Sequence, residues 1–134
     1  MSIEKPSTLE FIEPCIVSLE LFGQIEQAEL AALIDEFEPM VWDKPFMGLQ
    51  VGMQHISGAS PETRRLGAER LSILPKMFVA IVTDRFAQRM IAKLVMTALQ
   101  LVKPGHAITK FFKDPQRART WLIEQVNAHE TFPE

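Results

Sequence analysis

Apolar residues fall along this chain in runs whose spacing switches between the period of a strand and that of a helix. Thr8-Leu-Glu-Phe-Ile-Glu13 alternates apolar with polar positions. After Pro14 the segment from Cys15 to Phe22 alternates again, with Cys15, Val17, Leu19 and Leu21 on one side and Ser18 and Glu20 on the other. Two such strands so close in sequence predict an antiparallel pair at a sheet edge. Gly23 is expected to turn the chain into a helix from about Glu26 to Glu38, where Leu30, Leu33, Ile34 and Phe37 share one face and Glu26, Glu29 and Glu36 face water. Pro39 to Pro45 reads as a linker containing Trp42. Phe46 to Gln54 reads as a strand, in which Gly48 and Gly52 allow a neighbouring backbone to come close. His55 to Ser60 reads as a loop, and Ser60-Pro61 supplies an N-cap and a first-turn proline for a helix to about Leu74, with Gly67, Leu71 and Leu74 as its buried stripe.

The second half is patterned more sharply. Met77 to Thr83 is a near-continuous apolar run of strand length, ended by Asp84. Phe86 to Val102 contains neither glycine nor proline, and Lys103-Pro104-Gly105 breaks it. Ala107 to Phe112 makes a further strand, and Asp114-Pro115 caps and opens a last helix. The helix 86–102 is apolar over more than one face, through Phe86, Met90, Ile91, Leu94, Val95, Ala98, Leu99 and Val102, and leaves only a thin polar strip of Arg85, Gln88, Arg89, Lys93 and Gln100. Such a helix is buried on two sides or offers an apolar surface to a ligand or subunit. The whole pattern is β-β-α-β-α-β-α-β-α. It predicts an α/β fold with a mostly parallel five-stranded sheet, an antiparallel edge strand and helices covering the sheet.

Composition sets the class. A chain of 134 residues, 47% hydrophobic and 23% charged with a net charge of -3, suits one globular domain. Residues 8–129 are assigned to that domain, after a loose polar start at 1–7 and before a tail at 130–134. Lys93 interrupts the longest apolar run, so no membrane span is expected, and the N-terminus has no signal-peptide pattern. The single cysteine, Cys15, cannot form an internal disulfide and reads as a buried thiol. These features point to the cytosol. Charge is unevenly spread: residues 1–63 carry eleven carboxylates against two lysines, and residues 64–119 carry twelve Lys or Arg against three acids. Such a split suits an anion site, two surfaces that meet in an oligomer, or plain neutralisation within the fold. A pI near 5.6 and the lack of interleaved aromatic and basic residues disfavour nucleic-acid binding.

The order of elements and certain segments resemble STAS-type domains, specifically the SpoIIAA-like group of small bacterial proteins. The segments are Val79-Ala-Ile-Val-Thr-Asp84 followed by the apolar helix, then Thr109-Lys-Phe-Phe112 with Asp114 and Arg119-Thr-Trp-Leu122. The passage from Leu49 through Ser60-Pro-Glu-Thr-Arg-Arg65 is similar too. The likeness spans about residues 8–126 and rests on hydrophobic patterns, so it bears on fold more than on function. It implies a site of regulatory phosphorylation where a loop enters the helix after the third strand. Ser57 is the nearest match there, although His55 and Ile56 stand in place of an acidic residue and paired hydroxyls. It also implies regulation through protein contacts, and the group includes binders of nucleotides or lipids.

Chemistry-bearing motifs are otherwise sparse. His55, His106 and His129 lie about 50 and 23 positions apart, which is no metal-ligand spacing, and no nucleophile elbow or phosphate loop is present. No cofactor, metal or catalytic residue is assigned. The expected anion-binding corner is Ser60, Arg64, Arg85 and Arg89, at the starts of two helices. The expected apolar ligand or dimer surface is Phe86, Met90 and Leu94. Together these lead to a non-enzymatic cytosolic regulatory or protein-interaction module resembling anti-sigma-factor antagonists, whose expected partner is another protein or a second copy of itself. The alternative is a carrier of a small molecule, lipid or nucleotide that uses a pocket beside the helix 86–102.

Overall fold

The computed structural model describes residues 7–133. Its elements are β1 (Thr8–Ile12), β2 (Ile16–Ile25), α1 (Gln27–Val41), β3 (Met47–Ala59), α2 (Pro61–Ser72), β4 (Met77–Val82), α3 (Phe86–Val102), β5 (Ala107–Phe112) and α4 (Pro115–Ala128). The strands lie in the order β1-β2-β3-β4-β5; β1 runs antiparallel to β2, and every other pair is parallel. The mixed α/β sheet read from the sequence is therefore the observed architecture. The loose start assigned to residues 1–7 lies outside the described residues except for Ser7, whose hydroxyl accepts a hydrogen bond from the Phe22 amide at 3.1 Å.

Alternation along the strands sorts residues between two helical layers. Leu49 and Val79 share one face of the sheet, which α1, α2 and α3 cover. Gly48 and Phe78 share the other, against α4. Leu122 and Val126 of α4 pack over Gly48, where an added Cβ would stand 3.2 Å from Ile16 Cγ1 and 3.4 Å from Leu122 Cδ2. The close approach foreseen at Gly48 is thus to side chains of β2 and α4, and at Gly52 it is to the Glu20 carboxylate. Phe78 gathers Phe46, Trp121, His129 and Phe132 around its ring. Phe132, within the stretch 130–134 assigned as a tail, is instead buried at 4.9 Å from that ring.

Several boundaries differ from the sequence reading. Gly23 does not turn the chain into a helix. It sits within β2 at φ 73°, beside a register shift in the pairing with β3, and the strand continues to Ile25. Positive φ is free of strain at glycine, so the irregularity is absorbed without ending the strand. Pro39 lies inside α1 rather than in a linker, because Phe37 and Val41, both fully buried, hold the last turn in the core. His55 to Ala59 is strand rather than loop: β3 pairs with β2 up to Ile25↔Ala59, well past its last pair with β4 at Gly52↔Val82. Buried Ile56 anchors this overhang, and Gln88 of α3 donates to its carbonyl at 3.0 Å. Gln88, expected on the polar strip of α3, is accordingly buried.

Gly48→Val gives a test with opposing expectations. Strand propensity favours valine, yet the space beneath α4 is already filled. The expected outcome is a loss of about 1–3 kcal/mol in the urea unfolding free energy, the usual cost of overpacking; unchanged or raised stability would show that α4 does not pack as described.

Candidate functional site

Helix α3 is the element with surface to spare. Its outer face carries Phe86, Met90, Leu94 and Leu101, at i, i+4, i+8 and i+15, which places them within one stripe along the whole helix. Their exposures are 78%, 39%, 47% and 80%, values ordinary for lysine and unusual for a run of large apolar side chains. The sequence reading named Phe86, Met90 and Leu94 but missed Leu101, although the same periodicity reaches it. At the far end Lys103 Nζ donates to the Ser72 carbonyl at 3.2 Å. That bond ties the end of α3 to the end of α2, where Ile73 is also exposed. Arg85, Arg89, Lys93 and Lys103 accompany the stripe, and no carboxylate occurs between Phe86 and Val102.

The inner face of α3 borders a cavity of about 100 Å³ between the helical layer and the sheet. Leu49 and Ile81 line it from the sheet, Leu30 from α1, Gly67 from α2, and Ile91 and Met96 from α3. Gly67 stands where the three helices converge: a Cβ there would meet Leu30 Cδ2 at 3.4 Å and Val95 Cγ1 at 3.7 Å. Its lining is apolar, so the space favours an apolar occupant over a polar one. No single residue announces the cavity; it arises from how three helices sit on one sheet face.

Each of the four residues of the expected anion corner has contacts or a placement of its own. Ser60 caps α2, its Oγ accepting from the Thr63 amide at 3.1 Å and sharing a hydrogen bond with Thr63 Oγ1 at 3.0 Å. Arg64 runs its stem along the cavity wall, and its Nη1 donates to the Ala59 carbonyl at 3.4 Å. Arg85 is exposed at the N-cap of α3. Arg89 leans the other way, with its guanidinium carbon 5.7 Å from the centre of the Phe111 ring on β5. Ser57 is exposed, but it stands on β3 rather than in a loop entering α2.

Other reactive groups are structural. Burial pushes the Cys15 thiol up from its ordinary value. His106, 2% exposed, holds the Leu71 carbonyl at 2.8 Å through Nε2, which acts as donor in the neutral ring, while Nδ1 is buried without a partner. Burial, joined by the charges of Lys103 and Lys76, depresses its pKa below 6.5 against the opposing hydrogen bond. Among the described residues no group of three or more His, Cys, Asp or Glu side chains could hold a metal ion, and no helix is long and apolar enough to cross a membrane.

Similarity to known proteins lies in the fold. The structure aligns with an uncharacterised Shewanella loihica protein described as SpoIIAA-like at a TM-score of 0.60 and 16% identity, covering 91% of this chain and 97% of that one. The SpoIIAA-like fold is the fold of this chain. The anti-sigma-factor antagonist SpoIIAA in its unphosphorylated form aligns at a TM-score of 0.55 and 12% identity, over 92% of this chain and 97% of that one. An anti-sigma-factor antagonist from Mycobacterium paratuberculosis aligns at 0.55 and 15%, over 90% and 95%. No protein-family model matches the sequence, and no curated protein does. Within the SpoIIAA-like frame, the stripe and the cavity are properties of this chain's own side chains, because identities of 12–16% carry architecture and not residues.

His106 generates a pH prediction. Its folded-state pKa is depressed, so below about pH 6.5 the unfolded chain binds more protons than the native one. The contribution of the neutral ring is complete above that pH and declines as pH falls through the window below it. The expected outcome is a urea midpoint that drops between pH 7 and pH 5, and a shallower drop in His106→Gln, which keeps a donor for the Leu71 carbonyl. Equal slopes in the two proteins would contradict the assignment.

Proposed function

We propose that this protein is a non-enzymatic regulatory module of the cytosol that binds a protein partner through the outer face of α3. The observation that carries the reading is the stripe Phe86, Met90, Leu94 and Leu101, exposed along the full helix and accompanied only by cations. Fully burying an exposed side chain of this kind contributes roughly 1.5–3 kcal/mol, and less for the half-covered Met90 and Leu94, so the stripe as a whole suits docking. The fitting partner presents an apolar ridge flanked by Asp or Glu. A second copy of the chain is the less favoured occupant, since a two-fold contact centred on Leu94 would set Lys93 against Lys93. Two of the structural neighbours are named as anti-sigma-factor antagonists, which act on a protein target, and this supports a protein partner here.

A second reading, binding of a small apolar ligand, is favoured by the cavity beneath the same helix. The two readings meet in α3, whose inner residues line the cavity and whose outer residues form the stripe.

The first reading is tested with a photo-crosslinking residue placed at Leu94 and, as a control, at Ile123 on α4, each in cells of the native host. The expected outcome is a discrete crosslinked product at Leu94 only, with an acidic protein as the captured partner, lost when Met90→Glu is added. Because Met90 and Leu94 are well exposed, these changes are expected to shift stability by less than about 0.5 kcal/mol. A crosslinked homodimer would transfer the surface to self-association, and equal labelling at both positions would defeat the proposal.

A further inference from the structure

We infer that the cavity behind α3 takes the alkyl part of a short or branched-chain carboxylate, whose anionic head is received by Arg64 at the rim. The inference rests on the second, ligand-binding reading above and narrows it to a chemical class.

Size excludes most alternatives. An apolar cavity of ~150 Å³ admits benzene, so one of about 100 Å³ accommodates about four or five carbon atoms. A long acyl chain does not fit within it. A nucleotide fits neither the volume nor the chemistry. Leu30, Leu49, Ile81, Ile91 and Met96 offer no partner for the polar atoms of a base or ribose, and leaving those atoms unpaired is costly. The occupant is therefore a small aliphatic group.

The rim supplies the charge. Arg64 gives its stem to the cavity wall, and its guanidinium is held at the Ala59 carbonyl, a residue that also lines the cavity. No carboxylate of the described residues forms an ion pair with Arg64; the ion pairs present involve Arg70 and Arg119. One hydrogen bond of 3.4 Å leaves most of the fork's five donors available. A planar fork of this kind matches a carboxylate in two-point contact. Arg89 is turned away toward Phe111, so the rim presents a single cation, which suits a monoanion better than a phosphate. A carboxylate at the rim stays hydrated on its outer side, while the alkyl group enters the dry space.

The test titrates the full chain with isovalerate, with its uncharged counterpart 3-methyl-1-butanol, and with decanoate, following the methyl resonances of Leu30, Ile91 and Met96 by NMR, with Leu101 and Ile123 as controls. The expected outcome is that isovalerate shifts the three cavity methyls but not the controls, and binds about tenfold more tightly than the alcohol. Arg64→Gln is expected to abolish that advantage, so that isovalerate and the alcohol bind the variant alike. If the alcohol enters and isovalerate gains nothing, or if its advantage survives in Arg64→Gln, the carboxylate assignment is wrong while the ligand-binding reading stands. If decanoate binds as tightly as isovalerate, the size limit is wrong. If none of the three reaches the cavity methyls, the ligand-binding reading falls with the inference.

Discussion

Strand β4 has no side chain that can face water: Met77, Phe78, Val79, Ala80, Ile81 and Val82 are all 3% exposed or less. A strand buried on both faces requires a cover on each, and the parallel neighbours β3 and β5 reach their places only through helical crossovers. The crossovers place α2 and α3 on one face, where α1 joins them, and leave the other to α4. From this requirement follow the three-layer build, the direction of every helix and the unequal thickness of the two covers.

The two covers meet the requirement differently. On the α4 side, glycine at position 48 lets Leu122 and Val126 sit directly on the sheet, and Phe132 returns to close the space around Phe78. On the opposite side three helices share one face, with α2 wedged between α1 and α3 at Gly67. The salt bridges from Arg70 to Asp35 and Glu38, at 2.6 and 3.0 Å, join α2 to α1 at the surface. Being partly exposed, they set position more than they add stability. Three helices bridging a twisted sheet leave the central space only partly filled, and α3 remains apolar on its outer side as well. Its composition, with five large exposed hydrophobics and no carboxylate, has no counterpart in α1 or α4. That contrast sets α3 apart from the other helices of the fold.

Much of the architecture was legible from residues 77–112. The run Met77 to Val82 has no polar interruption, the helix 86–102 has no breaker, and Lys103-Pro104-Gly105 punctuates sharply, so local pattern and tertiary packing agree. The overhang of β3 was illegible for the opposite reason. His55-Ile-Ser-Gly-Ala-Ser60 has the composition of a loop, and only pairing with β2 together with the Gln88 side chain on the Ile56 carbonyl makes it strand. Pro39 reads as a helix stop until Val41 is seen in the core. Of the site, the apolar stripe was legible from spacing apart from Leu101. The anion corner grouped residues near two helix starts, and in the structure Ser60 caps α2, Arg64 holds the Ala59 carbonyl and Arg89 lies over Phe111, contacts that no local pattern announces. The cavity had no sequence signal, being a property of spacing between helices.

The arrangement rests on the claim that the helical layer stands off the sheet and leaves a dry apolar space behind α3. Diffraction from crystals pressurised with xenon tests it most directly, since xenon enters apolar cavities of this kind and displaces no ordered water. The expected result is xenon density enclosed by Leu49, Ile81, Ile91 and Met96. Side chains of α3 packed against the sheet, with no xenon between the layers, would contradict it.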